Sequence, residues 1–579
     1  MTAPGDVVLQ TPDGWRAYRA PVRVVQASTV ADVLPALAEI ERAVATGLHA
    51  AGFLCYEAAP AFDPAFVTHP GGPLPLLWFG LYDRVTPLSA DFLRDAPVLP
   101  ALPWTLSVAY PEYAQAIARI KAAIAAGATY QVNYTLRLRA PFTDDPWTLF
   151  RGLCRAQDAD YAAFVHIDRF TLCSSSPELF FARQGEEIVT RPMKGTAPRG
   201  TTWADDEAQA RALHASEKNR AENVMIVDML RNDLGRIADT GSVHVTDLFT
   251  VEHYRTVLQM TSTVRARSRV SFVDLLGALF PCASITGAPK VETMRLIRAL
   301  EPEPRGVYTG AIGCLDPDGA AQFNVAIRTV CVDRQAGTAE YGAGGGIVWD
   351  SDTADEYDEV RTKALVLTAP FPDFQLLETL LWRPVTGFRL LREHLARLHD
   401  SARYFGYRVD MDTVAAYLHD TARAWHTPQR VRLLAAGDGA LTLTAVPFTP
   451  DRPRRPWRVA WAAEPVDPAN RFLYHKTTHR VLYDAARAAH PACDDVLLWN
   501  TRGEATESTI ANLVIRRDGR LYTPPVAGGL LPGTARAHLL AAGHLTETVL
   551  TRDDVAAAEA VYLVNSVRGW IRLNVDSSD

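Results

Sequence analysis

Two prolines in three residues, in the run Thr368-Ala369-Pro370-Phe371-Pro372, divide this chain. Proline lacks a backbone donor and disfavours helix in the residue before it, so neither a helix nor a central strand runs through this point. A fresh pattern starts beyond it and continues for about 209 residues, long enough to bury a core of its own. The whole chain has 579 residues, which at roughly 150 per domain allows about three or four units. The expected division is 1–100, a stretch of short apolar runs and prolines ending in Asp95-Ala96-Pro97-Val98-Leu99-Pro100, then 101–369 and 370–579.

Periodicity supplies a coarse outline. A helix is expected to start at Pro111-Glu112-Tyr113, carry Ile117, Ile120 and Ile124 on its buried face, and close at Gly127. Strands are expected at 162–167, 187–190 and 324–332, alternating with helices. Composition is ordinary for a globular protein, 48% hydrophobic and 22% charged. The net charge of -7 and the lack of a sustained Lys/Arg run argue against a nucleic-acid partner. Seven scattered cysteines without a CxxC pair point to free thiols in a reducing compartment and not to zinc. The N-terminus does not read as a signal peptide, and no stretch approaches the roughly 18 apolar residues of a membrane span. The expectation is a soluble, cytoplasmic protein.

Four segments of residues 130–363 carry chemistry together. Ser174-Ser175-Ser176-Pro177-Glu178 turns after a strand and presents a carboxylate. Arg191-Pro192-Met193-Lys194-Gly195-Thr196 places a lysine between Pro and Gly, poorly suited to a helix or a central strand, so a loop is expected. The run from Arg220 to Asp233 reads as a helix with acids on one side. The last is Tyr341-Gly342-Ala343-Gly344-Gly345-Gly346-Ile347, followed by Asp355-Glu356-Tyr357-Asp358-Glu359 and Lys363. Glu356 and Glu359 share a helix face, and Glu359 can pair with Lys363 one turn on. The glycine run lacks both the dinucleotide and the Walker contexts, which leaves a loop of bare N–H groups suited to a carboxylate. Carboxylates from two helices suit Mg²⁺, which keeps waters and takes an anionic substrate as a further ligand. A lysine beside a glutamate suits a nucleophile and a general acid.

Residues 1–369 resemble the chorismate-utilising enzymes, the family of anthranilate, isochorismate, salicylate and aminodeoxychorismate synthases. The matching runs are Tyr130-Gln131-Val132-Asn133, Ser176-Pro177-Glu178, Met225-Ile226-Val227-Asp228 with Arg231-Asn232-Asp233, Ile285-Thr286-Gly287-Ala288-Pro289-Lys290, Tyr308-Thr309-Gly310-Ala311-Ile312-Gly313, and the glycine run with its Glu-rich helix. Anthranilate synthases carry alanine where this chain has Lys194; the aminodeoxychorismate synthases carry lysine in a Pro-Ile-Lys-Gly-Thr run, with Met193 here in place of Ile. The resemblance implies that the Lys194 amine attacks C2 of chorismate while Glu178 protonates the departing C4 hydroxyl, and that ammonia then expels the lysine. It implies Glu222 and Glu359 as magnesium ligands with Glu356 helping. It implies Tyr308, Arg328, Lys363, Thr286 and the amides of Gly344, Gly345 and Gly346 as substrate contacts. Many anthranilate-type relatives have histidine where this chain has Gln259, which points away from pyruvate elimination at this site. Some relatives bind tryptophan in the N-terminal hundred residues; no motif for it is evident here.

The tail offers Phe388-Arg389-Leu390 leading to Leu391, Leu395 and Leu398 at helical spacing with Arg397 beside them. Tyr474-His475-Lys476, Thr506-Glu507-Ser508-Thr509-Ile510-Ala511-Asn512 and the glycine-bearing run from Gly529 to Arg536 follow. A lysine, an acid and a loop entering a helix are what pyridoxal phosphate needs. Residues 371–579 resemble the fold-type-IV pyridoxal-phosphate enzymes, which include amino-acid aminotransferases and aminodeoxychorismate lyase. The resemblance implies Lys476 as the Schiff-base lysine, Glu507 as partner of the pyridinium nitrogen, Asn512 in support, and Arg397, Thr534 and Ser566 as phosphate contacts. The run after Tyr474 is closer to the lyases, with His479 where lyases often have Asn.

The two resemblances imply a mixed α and β architecture: a two-sheet β-sandwich with surrounding helices, then a fold-type-IV pyridoxal-phosphate domain. They imply 4-aminobenzoate synthesis from chorismate with Mg²⁺ and pyridoxal 5′-phosphate. The implied partners are a separate glutamine amidotransferase subunit supplying ammonia and a second copy of the chain at the tail. An anthranilate synthase-like front half, a transaminase tail and a non-catalytic docking tail remain open at this stage.

Overall fold

The computed structural model describes residues 3–93, 96–97, 99, 101–368, 371–449 and 455–575. The boundaries expected after residues 100 and 369 fall on positions outside the described residues. Two compact units emerge, Met1–Pro198 with Ala210–Phe371, and Pro372–Asp579 with Arg199–Gln209.

The first unit is built on two ten-stranded sheets. Between them lies an apolar layer in which Val7, Tyr18 and Val165 of one sheet meet Phe53, Trp78 and Ile312 of the other. Helices cover the outer faces. Val30–Ala45 buries Val33, Leu37 and Ile40, and Tyr110–Ala125 buries Tyr113, Ile117 and Ile120. The latter matches the expected helix, although Ile124 is only half-buried. The i, i+3, i+4, i+7 spacing places these apolar residues on one stripe, so docking on the sheet fixes the helix. This is the sandwich with surrounding helices that the sequence implied.

Three local expectations are corrected. The strand expected at 324–332 is two strands, Ala321–Val325 in one sheet and Thr329–Asp333 in the other. The chain crosses between sheets at Arg328, whose φ of 52° no continuous strand accommodates. The glycine run is not a loop but part of the strand Thr338–Ile347, paired along its whole length with Gln131–Pro141. Its other edge pairs only as far as Tyr341, so the glycines keep one open edge. Lys194 lies on Met193–Pro198, the terminal strand of its sheet, with a register break between Met193 and Thr196. An edge strand with a bulge tolerates the Pro and Gly that a central strand would not. Gly195 takes φ 95°, and a Cβ there would crowd Asn219 at 3.1 Å.

The second unit has a four-stranded sheet, from Gly387–Phe388 through Leu376–Arg383 and Gln429–Ala435 to Leu441–Pro447, and an eight-stranded sheet. The pairing of Glu507 with Asn512 joins Ala505–Ser508 to Asn512–Arg517, which closes part of the larger sheet on itself. The helix Leu391–Phe405 buries His394, Leu398, Ser401 and Ala402. Its inward face is therefore centred on His394, and the expected stripe residues Leu391 and Leu395 sit at its half-buried margin. All seven cysteines are free. No helix among the described residues is long and apolar enough to cross a membrane.

Candidate functional site

Two cavities gather the chemistry, one in each unit. The first, of about 330 Å³, is lined by Glu178 and Lys194 together with Glu222, Glu356, Glu359 and Lys363. Of the other expected residues, Tyr308, Arg328, Gly344 and Gly346 also line it. Gly345 stands behind the lining, where a Cβ would lie 3.0 Å from Glu356 Oε2 and 3.9 Å from Glu359 Oε1. Two carboxylates of the helix Thr353–Ala364 thus converge on the glycine strand. Thr286 does not reach this cavity: its hydroxyl turns back to the Cys282 carbonyl at 3.0 Å, while its neighbours Ser284 and Ile285 line the wall.

Burial sets the proton affinities here. Lys194 is lowered from the ordinary lysine value by burial, against the pull of Glu222. Glu178 is raised by burial to about 7, so a substantial share of it carries a proton near neutral pH. Glu222 and Glu356 are likewise raised by burial, whereas Glu359 is lowered, chiefly by Lys363 at 2.6 Å. The Lys194 amine makes no hydrogen bond or ion pair among the described residues, while its peptide is held firmly. Asn223 donates to the Lys194 carbonyl at 3.5 Å, and Gln259 donates to the Gly195 carbonyl at 3.0 Å. Gln259 also accepts from the Thr196 hydroxyl at 3.1 Å. A carboxamide at position 259 therefore braces the bulge that carries Lys194.

Sequence reasoning missed Ser284, whose hydroxyl donates to Glu178 Oε1 at 2.7 Å with Cys282 Sγ behind it at 3.2 Å. Only its place just before the Ile285-Thr286-Gly287 segment pointed to it. The donor set around Glu222, Glu356 and Glu359 is all hard oxygen, which fits a magnesium ion that completes its shell with water and substrate. Among the described residues no group of three or more His, Cys, Asp or Glu is gathered closely enough to cage a metal alone.

The second cavity, of about 540 Å³, is lined by Arg397, Lys476, Glu507, Asn512, Thr534 and Ser566. Lys476 is lowered to about 8 by burial and by Arg397. Glu507 is raised to about 8 by burial; it accepts from Tyr483 Oη at 2.9 Å, Leu531 N at 3.1 Å and Asn512 Nδ2 at 3.2 Å. Glycine is required at 533, because a Cβ there would collide with Asn512 Oδ1. Behind these residues lies Glu378, which opens the tail's run Glu378-Thr379-Leu380 and to which sequence reasoning gave no role. Burial would raise its carboxyl, but Arg397 and His394 outweigh burial and hold it at about 2. Arg397 meets both oxygens at 2.9 and 2.7 Å, and His394 Nδ1 lies 2.6 Å from Oε2. The far nitrogen of His394 lies 3.0 Å from Ser566 Oγ and 3.3 Å from Thr534 Oγ1. One buried carboxylate thus organises three of the expected phosphate contacts.

Two further residues were not anticipated. Arg430 and Arg432 lie in the register rows that run through Thr379, Thr444 and Val446, and all five line the cavity. Neither arginine has a carboxylate partner among the described residues. Alternation along 429–435, with Val431 and Leu433 buried, was the available clue. His479, the departure from the lyase pattern, also lines this cavity.

Comparison with known proteins follows the same division. Residues 91–369 match the model for chorismate binding enzymes, and residues 375–574 match that for class IV amino-transferases. The chain carries a chorismate binding domain and a class IV amino-transferase domain. The chorismate binding enzymes it is similar to include aminodeoxychorismate synthase of Streptomyces pristinaespiralis, 45% identical over 270 residues, or 46% of this chain and 37% of that protein. Aminodeoxychorismate synthase component 1 of Klebsiella aerogenes is 43% identical over 290 residues, or 50% of this chain and 62% of that one. The chain thus spans about a third to two-thirds of the length of these curated relatives. A solved structure of anthranilate synthase component I from Streptococcus pneumoniae matches with a TM-score of 0.54 at 25% identity, covering 64% of this chain and 93% of that one.

Proposed function

We propose that this chain makes 4-aminobenzoate from chorismate, by amination in the first cavity and loss of pyruvate in the second. The observation that carries the reading is a buried, unpaired lysine facing a buried glutamic acid in the chorismate binding domain. Arg328, Lys363 and the open edge of the glycine strand hold the two carboxylates of chorismate. The Lys194 amine attacks C2, the ring double bonds shift, and the C4–O bond breaks. Glu178 gives its proton to the departing hydroxyl, which leaves as water. Ammonia attacks C4 and expels the lysine, leaving 4-amino-4-deoxychorismate. Glu222, Glu356 and Glu359 would hold Mg²⁺, which supplies positive charge to the substrate carboxylates.

In the second cavity Lys476 would hold pyridoxal phosphate, Glu507 its ring nitrogen with Asn512 in support, and Arg397, Thr534 and Ser566 its phosphate. When bound, the cofactor supplies an electron sink for the carbon that loses a proton. Lys476, near 8, both takes and returns a proton close to neutral pH, and so moves the ring proton as pyruvate departs. A separate glutamine amidotransferase subunit supplies ammonia, the tail pairs with a second copy, and the protein works in the cytoplasm.

The test is to give the whole chain chorismate, ammonium, Mg²⁺ and pyridoxal phosphate and identify the products. Equal amounts of 4-aminobenzoate and pyruvate are expected. An ortho-aminated benzoate would sink the first half. Amino transfer to an added keto acid, without pyruvate release, would sink the second.

A further inference from the structure

We propose that Gln131 is the positioning residue of the Lys194 amine, an inference that rests on the covalent reading of Lys194. Gln131 is 0% exposed, and neither Nε2 nor Oε1 of its carboxamide has a partner among the described residues. A buried amide with both ends open is unfavourable, and proteins satisfy nearly all such groups. Its backbone is fully engaged: residue 131 pairs with Ala288, and its carbonyl accepts from the Thr129 hydroxyl at 3.0 Å. The side chain is therefore not what builds this strand.

Its place indicates what the open amide serves. A Cβ on Gly346 would run into Gln131 Nε2 and lie 2.8 Å from Lys194 Nζ, so amide and amine flank the same point of the glycine strand. The Lys194 amine is also without a partner among the described residues. A carboxamide offers an acceptor and two donors. Oε1 accepts one amine N–H and keeps the lone pair directed at the ring. As the C2–N bond forms, the C4–O bond breaks and the hydroxide leaves as water with the proton of Glu178. The lysine nitrogen keeps both hydrogens in the adduct, so the contact to Oε1 persists until ammonia displaces it.

The test replaces Gln131 by methionine, of similar size but without hydrogen-bonding groups. Full-length wild type and Gln131→Met are mixed with saturating chorismate and no ammonia, quenched over time and weighed intact. The adduct gains the mass of one chorismate less one water. The variant should form it roughly ten- to a hundredfold more slowly, with its apparent chorismate affinity little changed. Its Tm should not fall, because an unsatisfied buried amide has been removed. A wild-type rate in the variant, or a rate loss matched by a fall in Tm, would overturn the role of Gln131 while leaving the covalent reading intact. No adduct in the wild type overturns the covalent reading itself, and this inference with it.

Discussion

Lys194 and Lys476 are both buried amines lowered from the usual lysine range by burial, yet their surroundings differ. Around Lys194 the cavity wall carries Glu178, Glu222, Glu356 and Glu359 against Lys218, Arg328 and Lys363. Around Lys476 the only wall carboxylate among the described residues is Glu507, against Arg397, Arg430, Arg432, Arg480 and Arg568. A dicarboxylate can enter the first cavity only if something offsets its glutamates, which is what a divalent cation does. The second cavity has positive charge to spare for a phosphate and a dicarboxylate together. On the proposed reading the same kind of amine works in two opposite fields, and the field selects what each lysine meets.

The comparison breaks most sharply if the two lysines are not independent in their chemistry. Lys194→Ala should lower amination by about 10³-fold or more and leave pyruvate release from added 4-amino-4-deoxychorismate at the wild-type rate. Lys476→Ala should do the reverse, with the aminated intermediate accumulating; chromatography of both products separates the outcomes. Removing divalent metal with a chelator comes next. It should stop amination and spare pyruvate release, and equal loss of both would contradict the assignment of the cation to the glutamate-rich cavity.

Much of the first cavity was legible because its groups lie inside short runs: Glu178 after Ser-Ser-Ser-Pro, Lys194 between Pro and Gly, Glu356 and Glu359 on one helix face with Lys363. Local spacing and chemistry coincide there. The groups that position the reactive side chains in the two cavities were not legible, because they arrive from other elements of the chain. Ser284 reaches Glu178 across 106 positions, and Glu378 collects His394 and Arg397 from a helix while His394 reaches Ser566, 172 positions away. The glycine run was misread because glycine has weak strand preference; pairing along all of Thr338–Ile347 overrides it. The strand expected at 324–332 failed because apolar alternation does not show where a chain changes sheets. Nothing local showed that Arg199–Gln209 packs into the second unit, because only its contacts define it.

The excess positive charge of the second cavity is open to titration by mutation. Arg432→Met and Arg430→Met each remove an unpaired guanidinium from the wall without touching Lys476, Glu507 or the Glu378 cluster. Each should raise KM for 4-amino-4-deoxychorismate roughly tenfold, the worth of one charge-assisted hydrogen bond, with kcat changed far less. Steady-state kinetics on the isolated second reaction decides it. An unchanged KM in both variants would mean that these arginines do not meet the substrate carboxylates.

The last effect is on stability and concerns the residue beside Lys476. His475 is pushed down to about 3, first by burial, so it stays neutral in the folded chain. Its Nε2 lies 3.1 Å from the Thr201 carbonyl, which can only accept, so Nε2 carries the hydrogen and Nδ1 accepts from the Ser401 hydroxyl at 2.9 Å. The unfolded chain takes up this proton near pH 6.5, whereas the folded chain resists until about pH 3. Stability from this group is therefore complete above about pH 6.5 and is lost as pH falls from there toward 3, by up to about 1.4 kcal/mol per pH unit. His475→Gln keeps a donor and an acceptor and removes the titration. Its Tm should fall less than that of the wild type between pH 6.5 and 4.5, and parallel Tm curves for the two proteins would show that His475 does not set the acid limit of the second unit.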